Sequence, residues 1–383
     1  MGRAVAGGAA ALLLVTGCSS GTDPGTGTRT EAPTGTTAPA PSSPSSPTSA
    51  PPAATGSVRV VRTLTEGLRS PWGLVELPGG ALLVSSRDER TVTRIDARTG
   101  RQASLGEVPG VVPGGEGGLL GLAHRDGWLY AYLTAADDNR IVRMRYGGGP
   151  GDRLGAPEPV LTGIPKGVIH NGGRIAFGPD GMLYAGTGET GRTGLAQDRS
   201  SLGGKILRMT PEGRPAPGNP FPDSVVLSYG HRNVQGLAWD DRGRLWAGEF
   251  GQNTWDELNL IAPGGNYGWP VVEGRAGRAG FTDPVAQWPT DQASPSGIAY
   301  AKGAIWLAGL RGERLWRVPV PGPGAGAGER SGTPKAFLQG AYGRLRTVVA
   351  TAGGSGLWLV TSETDTRGTP EPGDDRVLRL EVG

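Results

Sequence analysis

The chain holds one cysteine, Cys18, so no disulfide can form within it. Its stability must come from burial, hydrogen bonds or bound metal. Histidine is nearly as scarce, with three residues in 383. Charged residues make up only 19% of the chain, and the formal net charge is +3. The arginines are scattered instead of forming a run, which argues against nucleic acid or a membrane surface as a partner. Long amphipathic helical patterns are scarce, which argues against a helical fold.

Glycine and proline are abundant, at 69 and 33 residues. Together with the scarcity of helical patterns, they point to a turn-rich all-β protein. The N-terminal stretch reads as an export signal, with Arg3 followed by the apolar run Ala4 to Val15. That run is too short to span a bilayer and has the length of a signal-peptide core. It ends in Leu14-Val15-Thr16-Gly17-Cys18, which resembles a bacterial lipoprotein lipobox. We therefore expect residues 1–17 to be a signal peptide and Cys18 to carry a lipid anchor outside the cytoplasmic membrane. Residues 18–56 are mostly Ser, Thr, Pro, Ala and Gly, a composition that cannot offset the entropy of ordering and reads as a disordered tether. The folded domain is expected over 57–383.

Within that domain the chain repeats itself loosely about every 50 residues. Each copy opens on a short apolar strand: Trp72-Gly73-Leu74, Leu120-Gly121-Leu122, Gly173-Arg174-Ile175, Gln235-Gly236-Leu237, Ser296-Gly297-Ile298 and Arg346-Thr347-Val348. A second, aromatic-rich strand follows, as in Arg244-Leu245-Trp246-Ala247, and then a third, as in Arg314-Leu315-Trp316-Arg317. Six copies predict a six-bladed β-propeller of four-stranded antiparallel blades around a central channel. A large sandwich has no reason to repeat one strand–turn–strand grammar six times.

A propeller brings the residue before each innermost strand to one end of the channel. Those positions are Glu116, His170, Arg232 with Asn233, Pro295 with Ser296, and Arg344 with Arg346. His170 sits on a glycine turn, Ile169-His170-Asn171-Gly172-Gly173, and carries an imidazole, a side chain suited to acid–base work. Arg232 keeps its charge and can hold a carboxylate or an oxyanion. The loop Glu249-Phe250-Gly251-Gln252-Asn253 offers oxygen donors suited to a hard cation, although its spacing is not that of an EF-hand. Gly186-Thr187-Gly188-Glu189-Thr190-Gly191 matches a dinucleotide fingerprint, but the polar segment after it lacks the apolar period of a crossover helix. His124 and His231 read as surface or structural residues.

Five stretches then occur in order: Glu116-Gly117-Gly118-Leu119-Leu120-Gly121-Leu122, His170-Asn171-Gly172-Gly173-Arg174, Gly230-His231-Arg232-Asn233-Val234-Gln235-Gly236-Leu237, Asp256-Glu257-Leu258-Asn259-Leu260-Ile261 and Gly265-Asn266-Tyr267-Gly268-Trp269-Pro270. Together they resemble the soluble pyrroloquinoline quinone (PQQ)-dependent glucose/aldose sugar dehydrogenase family, over essentially Val58 to the C-terminus. The resemblance implies oxidation of an aldose at its anomeric carbon to a lactone, with PQQ and calcium as cofactors and an electron acceptor that it does not name. It makes His170 the general base and sets Arg232 against the reactive quinone carbonyl. It assigns cofactor contacts to Glu116, Asn233, the Gly309-Leu310-Arg311-Gly312 loop and Arg344-Leu345-Arg346. Glu257 and the Tyr267 backbone match calcium ligands, and Gly251 and Gln252 fall where carbonyls hold a cofactor-side calcium. Glu116 stands where glutamine is common in that family, and Ile169 where its glucose-oxidising members carry aspartate. Two other functions are compatible with a propeller: a ligand-binding module without cofactor, and a calcium-dependent lactone hydrolase.

Overall fold

The computed structural model describes residues 56–321 and 331–383. The expected signal peptide, Cys18 and almost all of the tether lie outside the described residues. Among those described, 24 strands form six separate four-stranded antiparallel sheets, with one short 3-10 helix, Thr193–Ala196. The expected six-bladed propeller is the fold found.

Five blades are built from consecutive strands, starting at Pro71–Glu76, Leu119–Arg125, Ile175–Phe177, Val234–Trp239 and Pro295–Ala301. The sixth takes Leu345–Ala350, Gly356–Thr361 and Val377–Val382, then adds Val58–Thr65 from the start of the domain as its outer strand. The pairing runs antiparallel from Val58 opposite Val382 to Thr65 opposite Val377, so the ring is closed by hydrogen bonds between its two ends.

The first strand of each blade faces the channel and touches the first strands of its neighbours. The recurrent glycine explains how they come so close. A Cβ at Gly73 would lie 2.6 Å from the Leu120 carbonyl oxygen, at Gly121 2.2 Å from that of Gly173, and at Gly236 2.6 Å from that of Ser296. Gly297 meets the backbone of Thr347 in the same way. Two blades break the pattern, with Arg174 and Thr347 at the equivalent position, and these two side chains meet across the channel. The Arg174 guanidinium donates to Thr347 Oγ1 (3.0 Å) and to the Gln235 carbonyl (2.7 Å) and lies 4.4 Å over the Trp72 ring. Burial, with Arg346 adding to it, pulls the Arg174 pKa down to about 9. Trp72 lines a cavity of about 430 Å³ at one end of the channel, and Arg174 lines one of about 400 Å³ at the other. Their stack is the floor between the two.

Outward from the channel, cores form between blade faces. Trp72, Leu120 and Tyr132 pack with Ile175, Leu183 and Leu207 in one such cluster, all nearly or wholly buried. The outermost strands are more exposed, as in Gln102–Glu107.

Candidate active site

His170 is held from three directions. Its backbone lies in the left-handed region (φ +54°), which aims the side chain away from the path of a regular strand. Its N–H donates to Glu116 Oε2 (2.8 Å), and its carbonyl accepts from the Thr190 N–H (3.2 Å). Its Nδ1 meets Glu189 Oε1 at 2.5 Å, and the Glu189 side chain is only 1% exposed. A carboxylate accepts the proton on Nδ1, leaving Nε2 with its lone pair. Gly188 makes this approach possible, because a Cβ there would lie 1.9 Å from the His170 carbonyl oxygen. Glu189 belongs to the glycine-rich stretch that looks like a dinucleotide loop. A 3-10 turn follows it in place of a crossover helix, and the stretch supplies the carboxylate partner that His170 lacks among its sequence neighbours.

The same cavity collects six guanidiniums, those of Arg87, Arg232, Arg311, Arg344, Arg346 and Arg367, against three carboxylates. Arg344 and Arg346 both donate to Asp365 Oδ2, at 2.9 and 2.7 Å. Ser362 holds each from behind, its carbonyl on Arg344 and its hydroxyl on Arg346. Burial lowers the Arg346 pKa to about 10 in spite of Asp365. Burial would raise that of Asp365, but Arg346 and Arg344 outweigh it and hold the carboxyl well below its usual range. The Arg87 guanidinium donates to Asp88 and to the Asp365 carbonyl. Arg232 donates from its backbone to Glu249 and from its side chain to the Phe250 carbonyl, while its buried Nε has no hydrogen-bond partner among the described residues. Asn233 Oδ1 accepts from the Gly172 N–H (2.9 Å), tying the arginine's loop to the histidine's.

Beneath Arg232 lies a buried acidic cluster. His231 Nδ1 meets Glu249 Oε1 at 2.8 Å, and its ring stacks on Tyr267 with centroids 4.6 Å apart. Asn259 Nδ2 donates to both Glu249 (2.8 Å) and Glu257 (3.0 Å), while its buried Oδ1 has no partner among the described residues. Burial, and then the Glu249 charge, push the Glu257 carboxyl up. Asp256 accepts the Gly251 and Ser294 N–H groups at 2.9 and 2.6 Å, which ties the loop at Gly251 to the turn at Ser294, and burial raises its pKa to about 7.

Over residues 68–369 the sequence matches the family model described as Glucose / Sorbosone dehydrogenase. The chain belongs to the glucose/sorbosone dehydrogenase family. It is 30% identical over 258 residues to quinoprotein glucose dehydrogenase B of Acinetobacter calcoaceticus, covering 57% of this chain and 54% of the relative, about half the relative's length. An aldose sugar dehydrogenase of Escherichia coli strain K12 is 31% identical over 276 residues, or 67% of this chain and 74% of that one. Among solved structures, the PQQ-bound form of an aldose sugar dehydrogenase from Streptomyces coelicolor superposes with a TM-score of 0.82 at 69% identity, covering 87% of this chain and all of that one.

In this member of the glucose/sorbosone dehydrogenase family, Glu116, His170, Arg232, Asn233, Gly251, Gln252, Leu310, Arg311, Arg344 and Arg346 all line one cavity. Gly309 and Gly312 do not line it; each packs against backbone of the 292–293 segment. Leu345 belongs to the core between blades five and six. Glu257 and Tyr267 sit below, around a separate small void that Arg232 and Gly251 also border. Among the described residues, no three His, Cys, Asp or Glu side chains converge as a metal cluster. Pro295 and Ser296 fall short of the cavity, where Thr290 and Ser294 stand instead. His124 and His231 have structural partners, as expected: His124 Nε2 meets the Tyr146 carbonyl, and His231 is fully buried. Sequence reasoning missed Glu189, Arg87, Asp365 and Arg367. Only Glu189 carried a signal, as an acid in a glycine-rich turn directly after a strand.

Proposed function

We propose that this protein oxidises aldose sugars at the anomeric carbon to lactones, with PQQ and calcium. The observation that carries the reading is the convergence of His170, braced by Glu189, and a surplus of fixed guanidiniums on one cavity. PQQ bears several carboxylates, and planar guanidiniums held in place are apt receptors for them. Arg344, Arg346 and Arg311 would take those carboxylates, and the unpartnered Nε of Arg232 would face the quinone oxygen where negative charge grows. When bound, the quinone supplies the two-electron sink for a hydride leaving the sugar.

The chain's own part is proton management. His170 Nε2 takes the anomeric hydroxyl proton as the C–H bond breaks, and Glu189 stabilises the imidazolium through Nδ1. Glu189 is a positioning residue, since it acts only through His170. Calcium is supported by the acidic cluster: Glu257 is buried beside Glu249, its hydrogen-bond partners among the described residues are Asn259 and the Gly274 N–H, and the orphaned Asn259 Oδ1 adds an oxygen donor. Neutralising that cluster would also set the loop from which Arg232 projects. The same surplus of arginine disfavours a lactone hydrolase, which needs a metal centred in the channel by carboxylates or asparagines. The extracytoplasmic, lipid-anchored location expected from Cys18 belongs to this proposal.

Purified protein incubated with PQQ and calcium should bind the cofactor and reduce a dye with some member of a panel of aldoses. Absence of both binding and turnover would refute the reading. His170→Ala should bind PQQ as the parent does and lose roughly three orders of magnitude in kcat. A variant that still turns over would remove His170 from its role.

A further inference from the structure

Three carboxylates line the cavity. Asp365 is paired with Arg344 and Arg346, and Asp256 accepts two backbone N–H groups. Glu116 also feels the Arg232 charge, but among the described residues its one ion pair is with Arg367. The Arg367 guanidinium reaches its Oε1 at 2.7 Å, between residues 251 positions apart. Arg367 comes from the loop after Asp365, where its own N–H donates to Asp365 Oδ1 (3.0 Å). Glu116 sits on the rim of the second blade, where its N–H donates to the Val168 carbonyl, and its other oxygen carries the His170 N–H. A continuous run of contacts thus links Arg344 and Arg346, through Asp365, Arg367 and Glu116, to the backbone of His170.

We infer that Arg367 and Glu116 form a clasp across the mouth with two effects. Arg367 pairs with Glu116, the carboxylate lining the base's side of the cavity, so that a polycarboxylate cofactor is not repelled there. Glu116, held by Arg367, keeps the His170 backbone in its left-handed conformation. Arg367 is a positioning residue on this view, acting through Glu116 and not through the cofactor. The inference rests on the PQQ reading above. Glutamine at position 116 would carry the His170 N–H on its amide oxygen without needing a cation, whereas glutamic acid needs Arg367.

PQQ titration of the parent protein, Arg367→Gln, Glu116→Gln and the double variant tests this. Loss of the Arg367 charge leaves Glu116 facing the cofactor and should weaken binding by about tenfold, a modest figure because Arg367 is largely exposed. Glu116→Gln alone should bind at least as tightly as the parent. The double variant should regain the affinity that Arg367→Gln loses. In turnover, Glu116→Ala should lower kcat with little change in KM, and Glu116→Gln should recover most of that loss, because its amide oxygen can still accept the His170 N–H. If the parent binds PQQ and Arg367→Gln binds it equally well, the clasp is overturned while the function stands. If the double variant stays as weak as Arg367→Gln, the arginine meets the cofactor itself and compensation is overturned. If the parent does not bind PQQ, the functional reading fails and the clasp's purpose fails with it.

Discussion

Two clusters of buried charge, one lining the mouth and one around the separate void beneath it, behave in opposite ways. On the sixth blade, Arg344 and Arg346 share Asp365, and the carboxyl is held far below its usual range although burial alone would raise it. On the fourth, Glu257 is buried beside Glu249, and burial and repulsion push it the same way, upward. The burial is comparable, and the difference is whether a cation stands at hydrogen-bond distance. The first cluster is complete and still has guanidinium capacity to spare, as a receptor for an anion requires. The second holds two buried carboxylates, Glu249 and Glu257, with no arginine or lysine side chain hydrogen-bonded to either among the described residues, which suits the proposed calcium. An anionic quinone and calcium would therefore divide between the clusters.

The contrast breaks most decisively at Arg346. Replacing it with Met leaves Asp365 buried with Arg344 alone and should cost about 3 kcal/mol in urea unfolding, together with about a hundredfold in PQQ affinity. Unchanged affinity would mean that the sixth blade is a structural ion cluster and not a receptor. Next comes the acidic cluster. Calcium at a hundredfold excess over its dissociation constant should stabilise the chelator-treated protein by about 2.7 kcal/mol, and Glu257→Gln should abolish the response. A parent protein whose melting ignores calcium would remove the cation from the fourth blade.

The smallest effect lies on the acid side. The folded-state pKa of Asp365 is depressed below its ordinary value of 3.8. The stability it contributes is therefore complete above that value and is lost as pH falls through the folded one. Asp365→Asn should shrink the difference in unfolding free energy between pH 7 and pH 2 by about 2 kcal/mol. An undiminished difference would show that the arginines do not hold that carboxyl down.

The fold was legible because each blade must solve the same packing problem, so Trp72-Gly73-Leu74 and its counterparts recur with the glycine that lets inner strands meet. The outer strands were harder to read, since Gln102–Glu107 and Lys335–Phe337 pack on one side only and need no apolar pattern. The entry of Val58–Thr65 into the last blade had no local mark at all. At the site, His170, Arg232, Arg344 and Arg346 lie beside first strands, where the repeat predicts their convergence. Glu189, Asp365 and Arg367 come from loops that follow second strands, where the repeat is silent. Pro295 and Ser296 show the reverse failure: the register predicted them at the opening, but both are buried, the Ser296 hydroxyl donates to Gln235 Oε1, and Thr290 and Ser294 line the cavity instead.

The closing of the ring bears on when the protein becomes competent. Val58–Thr65 can pair only once Val377–Val382 exists, and Arg59 and Glu381 meet across 322 positions of sequence. Contacts of such separation form late, because a large loop must close before they are rewarded. Arg344, Arg346 and Asp365 belong to that same final blade. A chain still emerging from synthesis would carry its base and Arg232 but would lack the finished arginine wall. If Arg344 and Arg346 receive the cofactor as proposed, a protein cut short before Val377 would lack both its ring closure and a supported arginine pair, so cofactor capture would depend on a complete last blade.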